Sequence, residues 1–255
     1  MAKKIAIINQ KGGVGKTTTA INLGVYLARS GKKVLILDLD PQGNTTSGFG
    51  VESETLNGCV YNVLIDGAPI HRIKKETDAH QNLHLAPASI NLAAAEVELV
   101  SQLAREHKLK SALDDIINDY DYVLMDNPPS LGLLTVNGLV AADRVIIPVQ
   151  AEYYALEGLG QLLATIKRVR VQLNPKLDLL GVLITMYDKR TGLAKEVQNE
   201  LVKHFGSHVF DTVIPRNVRL AEAPSYGKTI ADYDKFSKGA QAYKKLSEEV
   251  IKRWA

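Results

Sequence analysis

The chain predicts an α/β fold: a doubly wound, mostly parallel sheet flanked by helices, in one domain over residues 1–255. Three observations lead there. Apolar runs rich in Val, Ile and Leu alternate with helical patterns from end to end. The runs are continuous rather than alternately apolar and polar, as strands covered on both faces require. Three polar clusters, at 11–18, 38–42 and 126–130, each stand directly after an apolar run. Open α/β sheets bind their ligands at such strand ends.

The elements follow in order. Strands are expected at 4–9, 33–37, 83–86, 122–125, 144–149, 179–185 and 212–214. Helices are expected at 18–29, 90–103, 109–119, 133–141, 155–173, 193–204 and 237–254. Ile5-Ala6-Ile7-Ile8 and Val34-Leu35-Ile36-Leu37 set the strand pattern, with side chains that suit a pleated, buried surface. Residues 43–82 have the weakest periodicity and should hold loops and short helices. The last helix repeats Ala240, Tyr243, Leu246, Val250 and Trp254 at helical spacing, a stripe that reads as a core face. No Pro/Gly/Ser-rich linker, internal repeat or low-complexity tract divides the chain.

Composition narrows the classes. Hydrophobic residues make up 45% and charged ones 23%, the balance of a soluble globular protein. No apolar run has the length of a membrane span. The start, Met1-Ala2-Lys3-Lys4, has the charge of a signal peptide, but the apolar run after it ends at Asn9-Gln10, too soon for a secretory core. Cys59 is the sole cysteine, which rules out a disulfide framework and an intrachain cysteine-based cluster or zinc site. A cytoplasmic protein is the simplest reading. The net charge of +3 is uneven: residues 160–255 hold 17 Lys/Arg against 10 Asp/Glu, or +7, and the rest of the chain is −4. A basic C-terminal part suits a polyanionic partner.

The first cluster, Lys11-Gly12-Gly13-Val14-Gly15-Lys16-Thr17-Thr18, sits between a strand and a helix. That is the context of a phosphate-binding P-loop. The glycines let successive N–H groups turn inward around an anion, and the helix N-terminus adds partial positive charge. Lys16 would reach the β- and γ-phosphates, and the Thr17 hydroxyl would hold Mg²⁺. The plain motif wants glycine where Gln10 stands, and Lys11 is an extra cation that the loop does not need for its own nucleotide.

Asp126 ends an apolar strand as a Walker-B aspartate does, where it would support Mg²⁺. Capping of the next turn is the other role open to it. Ser130, beyond Pro128-Pro129, can cap the following helix or read phosphate. Asp38 and Asp40 share one face if their strand continues. One near Mg²⁺ and one near the attacking water is a sensible division, against a plain turn before Pro41.

K-G-G-V-G-K-T-T, D-L-D-P-Q-G-N-T-T and D-N-P-P-S together resemble the deviant Walker A ATPases, and within them the ParA-type (Soj-like) chromosome-partition ATPases. Residues 148–158 and 214–225 extend the resemblance, which runs from about Lys3 to Trp254. The resemblance implies ATP and Mg²⁺ as cofactors and an ATP-bound homodimer. Lys11 would then reach across to the partner's nucleotide, Lys16, Thr17 and Thr18 would bind phosphate and metal, and Asp40 would orient the water. Met186, Pro215 and Arg216 would lie near the adenine. Asn127 departs from the family, where cysteine or threonine is expected.

The implied function is ATP-dependent partition of chromosome or plasmid DNA. An ATP dimer would bind double-stranded DNA without sequence preference, and hydrolysis stimulated by a ParB-type partner would release it, in the cytoplasm at the nucleoid. The resemblance maps the DNA contacts to Arg190 and Arg219, with Lys189 beside them, and leaves Arg216 open to DNA or nucleotide. A membrane-cycling division-site ATPase of the MinD type is the alternative. It wants an amphipathic anchor past the last helix, and none is evident in Lys252-Arg253-Trp254-Ala255. An amide ligase of the same fold would want a second catalytic cluster, and an electron carrier would want more cysteines.

Overall fold

The computed structural model describes residues 1–152 and 157–254. Its chain order begins with β1 (Lys3–Ile7), α1 (Lys16–Arg29), β2 (Val34–Asp38), α2 (Asn44–Gly48), α3 (Val60–Ile65), α4 (Ile70–Ile73) and β3 (Lys75–Glu76). It continues with β4 (Leu83–Ala86), α5 (Leu92–Glu98), α6 (Lys108–Asp114), β5 (Tyr122–Asp126), α7 (Leu133–Ala141) and β6 (Arg144–Gln150). Then come α8 (Glu157–Gln172), β7 (Asp178–Thr185), α9 (Gly192–Phe205), α10 (Val218–Glu222), α11 (Ile230–Tyr233) and α12 (Lys238–Arg253).

One sheet holds the strands in the order β3-β4-β2-β5-β1-β6-β7, parallel except for β3. Consecutive side chains of a strand enter opposite layers. Val34 and Ile36 pack with α1 and α12, whereas Leu35 and Leu37 pack with α3, α5 and α7. Two apolar layers therefore need every strand position to be apolar, which is why the runs do not alternate. The stripe of α12 is core: Ala240, Tyr243, Leu246 and Val250 are at most 1% exposed. Tyr243 also places its hydroxyl 3.2 Å from that of Thr19 on α1, tying the last helix to the first. Among the described residues no helix is long and apolar enough to cross a membrane.

The structure departs from expectation in definite places. Residues 212–214 form no strand. Ile214 donates its N–H to the Ile184 carbonyl at 2.8 Å and Pro215 makes a single bridge to Tyr187, but Pro215 has no N–H with which to extend a ladder. The expected helix at 90–103 is α5, prolonged by a 3₁₀ turn to Ser101, and that at 109–119 stops at Asp114. The helix expected at 155–173 is described from Glu157 to Gln172; its first residues, and Tyr153–Leu156 of the family-like stretch, lie outside the described residues. β3 forms an antiparallel edge pair with β4 inside the irregular region.

Asn127, where cysteine or threonine was expected, has a closely fitted place. Its side chain is fully buried and donates to the carbonyls of Met125 and Ile7 at 3.0 and 3.3 Å. A Cβ placed on Gly138 would meet Asn127 Oδ1 at 2.1 Å, so this asparagine depends on a glycine in α7.

Candidate active site

The carboxyl ends of β1, β2 and β5 come together, and register sets the arrangement. Asp126 stands opposite Ile7 on one side and opposite Asp38 on the other. After β1 the chain turns through Gly13 and Gly15, at φ +72° and +89°, a left-handed path that side chains with a Cβ rarely adopt. Val14 is buried between them, and its carbonyl accepts a 2.8 Å hydrogen bond from Thr185 at the end of β7. The loop is thus anchored from below while its glycines stay open above. The N-terminus of α1 has no side-chain cap and no acidic residue in its first turn. Its free N–H groups and positive end of the dipole are suited to an anion.

A cavity of about 460 Å³ opens over this turn. Gly12, Gly13, Gly15, Lys16, Thr17, Thr18, Asp40 and Met186 line it. Lys16 is 7% exposed, and its ammonium reaches the Lys11 carbonyl at 3.3 Å. Burial pulls the Lys16 pKa down, while Asp126 and Asp40 hold it up. Met186 has a left-handed backbone, φ +51°, which is strained for a residue with a Cβ and turns the chain at the cavity wall.

Behind the cavity lies a carboxylate pair. Asp126 is 1% exposed; its Oδ2 accepts from the hydroxyls of Thr17 at 2.7 Å and Thr45 at 2.8 Å, and its Oδ1 has no hydrogen-bond partner among the described residues. Asp38 is fully buried; its Oδ2 accepts from the Thr46 N–H and hydroxyl at 2.8 and 2.7 Å, and its Oδ1 from the Asp40 N–H at 3.2 Å. Both oxygens of Asp38 therefore hold the turn that carries Asp40. Of the two carboxylates, Asp126 is the one bonded to Thr17, and Asp38, expected near Mg²⁺, holds the loop. Asp40 is 8% exposed, and its Oδ1 accepts from the Gln42 N–H at 3.0 Å.

Burial raises the pKa of both Asp38 and Asp126, and for Asp38 the nearby Asp126 charge adds to it. A carboxyl that binds its proton more tightly in the folded state contributes stability that is full below the unfolded-chain pKa. That stability is lost as pH rises through the folded-state value. Asp38→Asn keeps an acceptor for Thr46 and removes the titration. With the folded Asp38 value raised to about 7, the melting temperature of the nucleotide-free parent, relative to this variant, is expected to fall from about pH 4 to about pH 7. A constant difference across that range contradicts the assignment.

Lys11, expected to serve a partner's nucleotide, does not line the cavity; its ammonium pairs with Glu152 at 3.0 Å, with both side chains nearly half exposed. Pro215 and Arg216, expected near the adenine, line a different groove of about 960 Å³. The Tyr187–Pro215 bridge and the Arg216 N–H on the Tyr187 carbonyl at 3.1 Å hold them there. Leu220, Ala223, Pro224 and Ile230 line the cavity. Leu220, Ala223 and Pro224 fall inside the family-like stretch 214–225 but carry no polar group that singles them out in the sequence.

The larger groove gathers Lys189, Arg190, Arg216, Lys238 and Lys245, with Asp188 and Asp211. Arg190 is clamped to Asp188, at 2.7 Å, and the arginine in turn holds the Asp188 carboxyl well below the usual range. Arg219 is outside the groove lining and pairs with Glu222 at 2.9 Å. Lys238 and Lys245 were not singled out in the sequence. Their signal was the basic excess together with a spacing of two helical turns, which puts them on one face of α12.

A glycine loop at a helix start, a buried lysine and a strand-end aspartate bonded to the loop threonine define a P-loop ATPase fold, and Lys11 marks its deviant Walker A form. The family model described as an AAA domain matches residues 2–179. The chain is 57% identical over 251 residues to the chromosome-partitioning ATPase Soj of Thermus thermophilus, covering 98% of this chain and 96% of that one. It is 56% identical over 250 residues to the sporulation initiation inhibitor protein Soj of Bacillus subtilis, covering 98% of each. Cobyrinic acid a,c-diamide synthase from Mycobacterium smegmatis, solved with bound ADP and magnesium, superposes with a TM-score of 0.88 at 39% identity, covering 100% of this chain and 96% of that one. The chain belongs to the Soj/ParA family of chromosome-partitioning ATPases.

Proposed function

We propose that the protein is an ATP-driven DNA-partition switch. With ATP it forms a homodimer, and the dimer holds double-stranded DNA through phosphate contacts. ATP hydrolysis, stimulated by a ParB-type partner, returns it to the monomer. The expected setting is the cytoplasm, at the nucleoid. The observation that carries this reading is Lys11. It belongs to the phosphate loop, yet its ammonium stands outside the cavity on Glu152, an exposed ion pair worth on the order of 1 kcal/mol or less. A cation held so weakly at the cavity mouth is available to a second subunit.

The residues present fit a nucleotide and Mg²⁺: the helix start is uncapped, Lys16 is buried, and Asp126 keeps one buried oxygen without a hydrogen-bond partner among the described residues. The N–H groups of 12–18 and the Lys16 ammonium would bind the phosphates. Thr17 and Asp126 would hold Mg²⁺, which supplies positive charge to the phosphate oxygens. Asp40 would orient the attacking water, and Asp38 and Thr46 would keep Asp40 in place. Lys11, once off Glu152, would stabilise charge on the partner's transferred phosphoryl group. Lys11→Ala is therefore expected to leave monomer nucleotide affinity unchanged and to impair the dimer or its turnover. Sedimentation showing a normal ATP dimer, with normal turnover, contradicts that role.

The basic groove supports the DNA half of the reading. It offers cations on the 187–190 turn, the 215–216 segment and α12, and no helix there carries a base-reading pattern. One protomer offers few charges; two double the patch, so dimerisation itself would raise the affinity. Arg190→Glu and Arg219→Glu are each expected to weaken binding to all sequences alike and to lower the salt slope by about 1 per lost phosphate contact. Anisotropy titrations over a salt series measure both. Unchanged affinity and slope in both variants contradict the assignment. The membrane-cycling alternative is disfavoured because the apolar face of α12 is packed against α1 and the sheet.

A further inference from the structure

We propose that the two arginines assigned to DNA are held in reserve by carboxylates of this same chain: Asp188 occupies Arg190, and Glu222 with Asp234 occupies Arg219, each in place of a DNA phosphate. The proposal rests on the DNA reading above. These carboxylates are built-in competitors that lower DNA affinity and keep a separated protomer off DNA.

The Arg190 guanidinium grips Asp188 with two bonds from one planar fork: Nε donates to Oδ1 at 2.9 Å and Nη2 to Oδ2 at 2.7 Å. A phosphate is taken by the same fork, so carboxylate and phosphate exclude each other there. The two ends of the pair are unlike. The Arg190 side chain is 83% exposed and that of Asp188 only 23%. Asp188 is also fixed by its own turn: Oδ1 accepts the Arg190 N–H at 3.0 Å, and the Asp188 carbonyl accepts the Thr191 N–H and hydroxyl at 3.1 and 2.9 Å. The carboxylate therefore stays, and the guanidinium is the part that can leave for DNA.

Arg219, on α10, is built alike. Its Nη1 donates to Glu222 Oε2 at 2.9 Å, and its Nε stands 3.8 Å from Asp234 Oδ2. Glu222 Oε2 also accepts the Tyr233 hydroxyl at 3.1 Å, and Asp234 Oδ1 accepts the Phe236 N–H at 3.2 Å. Both carboxylates again have donors of their own and are less exposed than the arginine. Lys189, Arg216, Lys238 and Lys245 differ: among the described residues none of them forms an ion pair. The cations of the groove that attract a polyanion at a distance are thus unpaired, while the two arginines mapped as direct contacts are occupied.

The size of the effect follows from exposure. An exposed ion pair opposes capture of the arginine by phosphate up to about five-fold. One clamp does not forbid DNA binding, and a dimer that opens four of them gains four phosphate contacts in return. A single protomer has two arginines to free and fewer cations to hold the DNA meanwhile, and each carboxylate is in place to retake its arginine as a phosphate lets go.

The test uses the full chain and a mixed-sequence DNA duplex, in anisotropy titrations with ATP and with ADP at dimer fractions measured by sedimentation. Asp188→Asn and Glu222→Gln keep an acceptor oxygen for the turn and for Tyr233 and remove the charge. Each is expected to tighten DNA binding about two- to five-fold per protomer. Asp211→Asn makes the same charge change in the same groove, where its carboxylate holds no arginine among the described residues, and is expected to do less. With Arg190→Gln in the background, the advantage of Asp188→Asn over Asp211→Asn is expected to vanish. An Asp188→Asn effect no larger than that of Asp211→Asn, or one that persists without Arg190, overturns the proposal. If Arg190→Glu and Arg219→Glu weaken binding while Asp188→Asn and Glu222→Gln bind as the parent does, the clamp alone is overturned. If the two charge reversals leave binding unchanged, the DNA assignment beneath it is overturned as well.

Discussion

Lys16→Ala is expected to abolish useful ATP binding. Lys16 is the first residue of α1, sits 7% exposed at the cavity floor, and has a single long contact to the Lys11 carbonyl. Its ammonium is largely desolvated without an anion of its own, so a bound phosphate would meet a cation that has already given up most of its water. Removing one side of a buried, hydrogen-bonded charge pair costs about 2–5 kcal/mol, or roughly 30- to 5000-fold in affinity. Calorimetry with ATP measures it. Lys228, which also lines the cavity, does not stand on the helix start and is not expected to compensate. Tight ATP binding by a folded Lys16→Ala protein removes Lys16 from the phosphate role.

Asp40→Ala is expected to behave in the opposite way: ATP binding is retained and turnover is lost. The Asp40 carboxyl lines the cavity but is held by its own turn, through the Gln42 N–H. It makes no hydrogen bond to the loop or to Lys16, and of the two carboxylates that support the Lys16 charge Asp126 is the larger influence. A positioned group that handles the attacking water contributes about 10²- to 10⁴-fold to the rate. The loss should appear in turnover with partner and DNA present, with nucleotide affinity near that of the parent. Such a variant should accumulate as an ATP-bound dimer. Hydrolysis at the parent rate would return Asp40 to the status of a turn-forming residue.

The sheet was legible because burial on both faces writes itself as unbroken apolar runs: β1, β2, β5 and β6 all lie within a residue or two of their expected bounds. The three polar clusters were legible because parallel strands deliver their following loops to one edge. Less was legible where tertiary contacts decide. Residues 212–214 carry strand-like side chains, yet Pro215 and the β7 edge allow only isolated bridging. The short helices α2 and α11 have no periodicity to read at four or five residues. Asp38 and Asp40 were expected on one face if the strand continued; the strand ends at Asp38, and Thr46, whose bonds no spacing reveals, holds the Asp38 carboxylate. Thr45 was likewise missed, although it shares Asp126 with Thr17. Pro215 and Arg216 stand within a few residues of Leu220, Ala223 and Pro224, which line the cavity, and the bridge to Tyr187 holds the former on the basic groove.

The central claim is that ATP, through dimerisation, turns DNA binding on. Sedimentation velocity of the full chain with ATP, with ADP and without nucleotide, with DNA binding measured on each sample, tests it most directly. The account predicts a dimer with ATP alone, and DNA binding that rises with the dimer and falls with added salt. A monomer under all three conditions, or DNA affinity that is the same with ATP, with ADP and without either, would contradict it.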